Sequence, residues 1–145
     1  MYPVTVEKVA AALGGERTLK TRLATVGDLH AAVRRGLPRG VVRELAKAAA
    51  HGRDDRKRVA HLVASEATLK RSATLSPAAS ERAERIARIV ALAQDAFGDP
   101  AKAQDWLHRP NSVLGGAAPV LLAATDLGAR QVEQVLANIE YGLPA

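Results

Sequence analysis

The chain has 145 residues, 48% hydrophobic, 25% charged and 3% aromatic, with no cysteine and a formal net charge of +6. This suits one folded unit of ordinary size, or two small ones sharing a core, built from Ala, Leu, Val and Ile, side chains that favour packed helices over aromatic-rich strands. The absence of cysteine excludes disulfides and thiolate metal sites and fits a cytoplasmic protein; no apolar run approaches the roughly 18 residues of a membrane span, and MYPVTVEK has no signal-peptide core.

Charge is unevenly spread. Residues 1–75 carry 15 Lys and Arg against 7 Asp and Glu, whereas residues 76–145 carry 6 against 8. A basic first half and a near-neutral second half point to two tasks, one of them facing a polyanion. A plain solvated basic surface is the alternative.

In chain order, Thr5 and Gly14-Gly15 bracket a short helix over residues 6–13, with Val6, Val9 and Leu13 on one face. ERTLKTRLAT (16–25) reads as extended or loop. A second helix covers residues 26–35 and stops at Gly36, with Leu29 and Val33 inward. Pro38 takes an N1-like position before a third helix, whose inner face is Val41, Val42, Leu45 and Ala48/Ala49. That helix ends near His51-Gly52.

Next comes RDDRKRVAHLVASEATLKRSA, the most charged run. Asp54 or Asp55 can cap a helix containing Val59, Leu62 and Val63. Ser65 can cap a second with Thr68, Leu69, Lys70 and Arg71 in its first turns. Two short helices joined by a tight turn have the outline of a helix-turn-helix. Its second helix would present Glu66, Thr68, Lys70, Arg71 and Ser72 to a major groove. Arg56, Lys57 and Arg58 would meet the DNA backbone from the preceding helix. Two ordinary solvated helices of a bundle would read the same way.

Ser76-Pro77 opens the longest helix, with Ile86, Ile89, Val90, Ala93 and Phe97 at helical period. Glu81–Arg85 and Glu84–Arg88 are i,i+4 pairs on its outer face, and Gly98 ends it. Asp99-Pro100 starts the next helix, where Ala103, Trp106 and Leu107 face the core. After RPNSVLGGAA, in which Gly115-Gly116 makes a turn, Pro119 restarts a short helix through Val120, Leu121 and Leu122. Asp126 caps the last helix, with the stripe Val132, Val135, Leu136 and Ile139, and Gly142 closes it. The fold class is therefore all-α.

Catalytic patterns are missing. His30, His51, His61 and His108 have no metal-helix spacing, no phosphate loop follows a strand, and no Ser sits in a nucleophile elbow. A protein that binds rather than catalyses is expected, with no metal site and no cofactor.

LSPAASERAERIARIVALAQDAFGD, WLHRPNSVLGG, Pro119 with Leu122, and DLGARQVEQVLANIEYGLPA occur in that order, after VEKVAAALGG and SEATLKR. Together they resemble antitoxins of the Xre/MbcA/ParS type, partners of RES-domain toxins in type II toxin–antitoxin modules. The resemblance implies an Xre-like helix-turn-helix DNA-binding region over residues 1–75, which includes Ser65, and a toxin-binding domain over 76–145. It implies no enzymatic activity, binding of the operon's own promoter, and a homodimer within a larger complex with the toxin. In this family the antitoxin's C-terminal end occludes the NAD pocket of a toxin that consumes NAD or transfers from it. Carried over, Glu140, Tyr141, Gly142, Leu143, Pro144 and Ala145 would be the blocking elements, with Asn111, Leu114 and Gly115 in the matching loop. Tyr141 could equally be a surface residue covering the helix end. One departure stands out: Val63-Ala64 occupies the turn where Xre-type domains often carry Gly. The alternative function is a stand-alone helix-turn-helix regulator whose second half only dimerises it.

Overall fold

The computed structural model describes residues 1–142, and those residues form ten α-helices and one 3₁₀ turn, with no strand among them. The helices are α1 (Val6–Ala12), α2 (Gly15–Leu19), α3 (Val26–Arg35), α4 (Gly40–Ala49), α5 (Arg53–Val63) and α6 (Glu66–Arg71). There follow α7 (Pro77–Phe97), α8 (Pro100–His108), the 3₁₀ turn Ser112–Leu114, α9 (Pro119–Leu122) and α10 (Asp126–Glu140). The all-α expectation holds, with the helix-turn-helix preceding the C-terminal domain.

Side-chain caps set most starts. Thr5, Thr25, Ser65, Ser76, Asp99 and Thr125 each accept a hydrogen bond from a backbone N–H in the first turn that follows. At Thr25 the reciprocal bond also forms, because Asp28 accepts from the Thr25 N–H. Such caps satisfy donors that a helix leaves orphaned.

The organising element is α7. Its Ala83, Ile86, Ala87, Ile89, Val90 and Ala93 are wholly buried, and α1, α3, α4, α5, α8 and α10 pack around it. Val9 and Leu13 of the α1 region, Val41 and Leu45 of α4, and Val132 and Leu136 of α10 share the same core. Alanine on several faces of α7 lets its neighbours approach closely. Each fully buried Ile or Leu contributes about 1.5–3 kcal/mol over its exposed state.

The loop after α6 is tied to the loop before α4. Leu75 N–H donates to Leu37 carbonyl oxygen at 2.8 Å and Arg39 N–H to that of Ala73 at 3.0 Å. Leu37 N–H donates in turn to Ser80 Oγ, a fully buried hydroxyl of α7, at 2.9 Å. Gly36 makes this junction possible: its φ is +97°, and a Cβ there would sit 2.3 Å from the Leu75 carbonyl oxygen.

Five local expectations are corrected. Residues 15–19 are helical rather than extended, since buried Leu19 anchors a turn that Gly14 and Gly15 initiate at positive φ. Pro38 pairs with Thr74 in an isolated bridge, and α4 begins at Gly40. Gly52 caps α5 through its backbone, leaving Asp54 and Asp55 in the first turn, where the helix dipole favours them. Thr125, not Asp126, caps α10. The two ion pairs expected on the outside of α7 are not surface pairs. Arg85 donates to the Ala123 and Ala124 carbonyl oxygens at 3.3 and 2.8 Å, and the Glu84–Arg88 pair is turned inward, with only 14% of each side chain exposed.

Candidate functional site

The α5–turn–α6 unit is built without a left-handed residue. Ala64 ends α5 in extended backbone, φ −161° and ψ 158°, and Ser65 caps α6 at φ −70° and ψ 156°. The Val63-Ala64 departure is thus accommodated by a turn of different shape, in which no glycine is required. Arg82 of α7 donates from Nε to the Val63 carbonyl oxygen at 3.0 Å, capping α5 from the core.

In α6, Leu69 leans on the core while Glu66, Lys70 and Arg71 are exposed. Ser65 spends its hydroxyl on the cap, accepting from Thr68 N–H and donating to Thr68 Oγ1 at 2.9 Å. Of the side chains expected to face DNA, Glu66, Lys70, Arg71 and Ser72 are exposed and Thr68 is half-buried beside them.

Arg56, Lys57 and Arg58 do not all line one groove. Arg56 and Lys57 line an open groove between α4 and α5 with Arg39, Arg43 and Lys47, over a floor of Val42, Ala46, Ala60 and Leu69. Arg58 is absent from that lining and lies 3.7 Å from Asp55. Arg39, Arg43 and Lys47 recur every fourth residue and so share one face of α4. The i,i+4 repeat of these three residues is visible in the sequence, but nothing local says that α5 lies opposite it.

The end of α4 is held by side chains from elsewhere. Gln104 of α8 donates from Nε2 to the Lys47 and Ala48 carbonyl oxygens at 3.3 and 3.0 Å. His108 Nε2 donates to that of Ala49 at 3.0 Å, and Arg56 Nε to that of Ala50 at 2.8 Å. Four successive carbonyls that a helix end leaves unpaired are thereby satisfied.

A second surface lies on the C-terminal domain. Asn111 caps the 3₁₀ turn by accepting from Val113 N–H at 2.9 Å, and its carbonyl oxygen accepts from Gly116 N–H at 2.8 Å. Gly115 and Gly116 reverse the chain at φ +71° and +86°. Val113, Leu114 and Gly115 form one wall of a groove whose other wall is Gln131, Gln134, Val135 and Asn138 of α10. No formally charged side chain lines it. Asn111 orders this loop rather than lining the groove. At the end of α10, Glu140 is exposed, Tyr141 is 79% exposed, and Gly142 takes φ +72°. Leu143, Pro144 and Ala145, three of the blocking elements inferred by resemblance, lie outside the described residues.

A half-buried polar chain joins the N-terminal segment to α7 and α10. Tyr2 donates to Glu84 at 2.6 Å, Glu84 pairs with Arg88 at 3.1 Å, and Arg88 pairs with Glu133 of α10 at 2.6 Å. Burial pushes the Glu84 carboxyl above its ordinary value, against the pull of Arg88. Burial, with Glu84 beside it, raises the Tyr2 phenol far above its own. Among the described residues no group of three or more His, Asp or Glu is arranged to hold a metal, and no single helix is long and apolar enough to cross a membrane.

Comparison with known proteins bears on both surfaces. Residues 28–88 match the family described as the antitoxin Xre-like helix-turn-helix domain, and residues 92–142 match the antitoxin Xre/MbcA/ParS C-terminal toxin-binding domain. The chain is 30% identical over 119 residues to a protein named Antitoxin Xre from Photorhabdus laumondii, covering 79% of this chain and 80% of that one. It is 32% identical over 88 residues to Antitoxin Xre of Pseudomonas putida, covering 61% of this chain and 55% of that relative. With Antitoxin Xre of Yersinia enterocolitica it shares 36% identity over 69 residues, 47% of either chain. The match thus spans about half the length of the last two relatives.

Proposed function

The chain belongs to the Xre/MbcA/ParS antitoxin family, and from that premise we propose that it neutralises a RES-domain, NAD-consuming toxin and represses its own operon. Residues 1–75 would meet promoter DNA and residues 76–145 the toxin. The protein itself would be no enzyme, acting in the cytoplasm as a homodimer within a larger complex with the toxin.

Toxin inhibition is assigned to the end of α10 and the residues after it: Glu140, Tyr141, Gly142, Leu143, Pro144 and Ala145, seated in the toxin's NAD pocket. The observation that carries this is Tyr141, a large aromatic left 79% exposed at the end of a helix anchored by Val132 and Leu136. An anchored helix end loses little freedom on docking, and exposed Tyr is a frequent centre of binding energy. Leu114 and Gly115 support the interface from the adjoining uncharged groove, and Asn111 shapes that loop.

DNA recognition is assigned to Thr68, Lys70 and Arg71, with Ser65 setting the start of α6 and Arg56, Lys57 and Arg58 near the backbone. Lys and Arg suit guanine edges or phosphates, and Thr suits either.

Co-expression with the neighbouring gene product, followed by an NAD-consumption assay on the purified complex, tests the toxin assignment. Full-length chain should suppress turnover, and a chain lacking residues 141–145 should release it while keeping the wild-type helical content. Full suppression by the truncated chain would place inhibition elsewhere. If no partner co-purifies and the pure chain binds its promoter, a stand-alone regulator is the better reading.

A further inference from the structure

We propose that the α4–α5 groove is a phosphate track for duplex DNA, supplying sequence-independent affinity that α6 does not. The inference rests on the DNA-binding reading above and adds a division of labour to it. Six residues long and with none fully buried, α6 offers few side chains to a duplex. The groove beside it concentrates five cations: Arg39, Arg43, Lys47, Arg56 and Lys57. Successive cations on α4 rise about 6 Å along its axis, so they form a line rather than a point.

No acidic side chain lines the groove. Two acids adjoin lining cations in sequence: Glu44 pairs with Lys47 at 3.3 Å, and Asp55 lies 3.7 Å from Arg58 outside the groove lining. The floor of Val42, Ala46, Ala60 and Leu69 gives the long methylene stems an apolar bed, which leaves their charged ends at the rim. An acidic peptide would satisfy the same charges. Continuity favours DNA: Leu69 of α6 lines the groove floor, so the groove adjoins the helix that the DNA reading places against the duplex. Arg39 donates to the Leu69 carbonyl oxygen at 3.1 Å, fastening the two surfaces together.

The test compares a duplex from the chain's own promoter with an unrelated duplex of equal length, by fluorescence anisotropy over a series of NaCl concentrations. The variant is Arg43→Gln with Lys47→Gln and Lys57→Gln, which removes charge and keeps the stems. Arg39 and Arg56 are spared because both cap carbonyls. Each lost phosphate contact lowers the slope of log K against log salt by about 0.9. The variant should therefore lose about 2 to 3 from the slope on both duplexes and keep its promoter preference within about twofold. Lys70→Ala with Arg71→Ala should instead erode the preference. A triple variant with the wild-type slope would overturn the inference alone and leave the DNA reading of α6 standing. Loss of preference in the triple variant would overturn the division of labour. Wild-type protein that binds neither duplex would overturn the DNA reading and this inference with it.

Discussion

His108 of α8 donates its Nε2–H to the carbonyl oxygen of Ala49, the last residue of α4, at 3.0 Å, with its side chain only 7% exposed. The bond crosses from the family's toxin-binding domain into its helix-turn-helix, and Gln104 makes two more beside it. Removing both donors strands up to three carbonyls at a partly buried helix end. Gln104→Ala with His108→Ala should cost about 2–4 kcal/mol of stability. Urea unfolding followed by circular dichroism checks this; an unchanged midpoint would mean that water replaces both caps.

Two glycines of opposite character separate backbone need from helix propensity. Gly36 combines φ +97° with a would-be Cβ 2.3 Å from the Leu75 carbonyl oxygen. Gly36→Ala should destabilise by about 2 kcal/mol or more. Gly27 lies in α3, exposed, with only Thr25 Oγ1 within 4 Å of its would-be Cβ, at 3.6 Å. Gly27→Ala should be neutral or stabilise by up to about 1 kcal/mol. Thermal melts of the two variants should move in opposite directions or by clearly unequal amounts.

The polar chain linking Tyr2, Glu84, Arg88 and Glu133 makes stability depend on pH. The Tyr2 phenol is raised above its ordinary 10.0, so at alkaline pH the unfolded chain loses this proton while the folded chain keeps it. Stability then falls as pH rises above that value. Glu84, raised above 4.5, acts with the same sign from mildly acidic pH upward. Tyr2→Phe should flatten the alkaline limb of the urea midpoint against pH and cost about 1 kcal/mol at neutral pH through the lost bond to Glu84. Glu84→Gln should flatten the acidic-to-neutral limb. An unaltered alkaline limb in Tyr2→Phe would show that other groups control it.

Exposure at Tyr141 predicts a clean split between folding and function. Tyr141→Ala should leave stability within about 0.5 kcal/mol of wild type, as surface changes do. If the residue anchors the toxin contact, affinity for the neighbouring gene product should drop about tenfold or more. Calorimetric titration of the toxin with the variant reads this directly. Unchanged affinity would make Tyr141 a cover for the helix end.

What was legible in the sequence was local. Ser65, Ser76-Pro77 and Asp99-Pro100 announce their helices because a cap reaches a backbone N–H only two or three residues away. The apolar period of α7 and α10 marks the faces they bury, since helical spacing alone brings those residues together. Family likeness was legible too, because motif order survives in the chain. Tertiary structure decided the rest. Leu19 turns residues 15–19 into a helix by finding the core. Glu84 and Arg88 look like a solvent pair until Tyr2 and Glu133 close over them. Arg56, Lys57 and Arg58, adjacent in sequence, part company because successive residues of a helix point about 100° apart, and only two of them face α4. A groove needs two helices, and no spacing along one of them reports where the other lies.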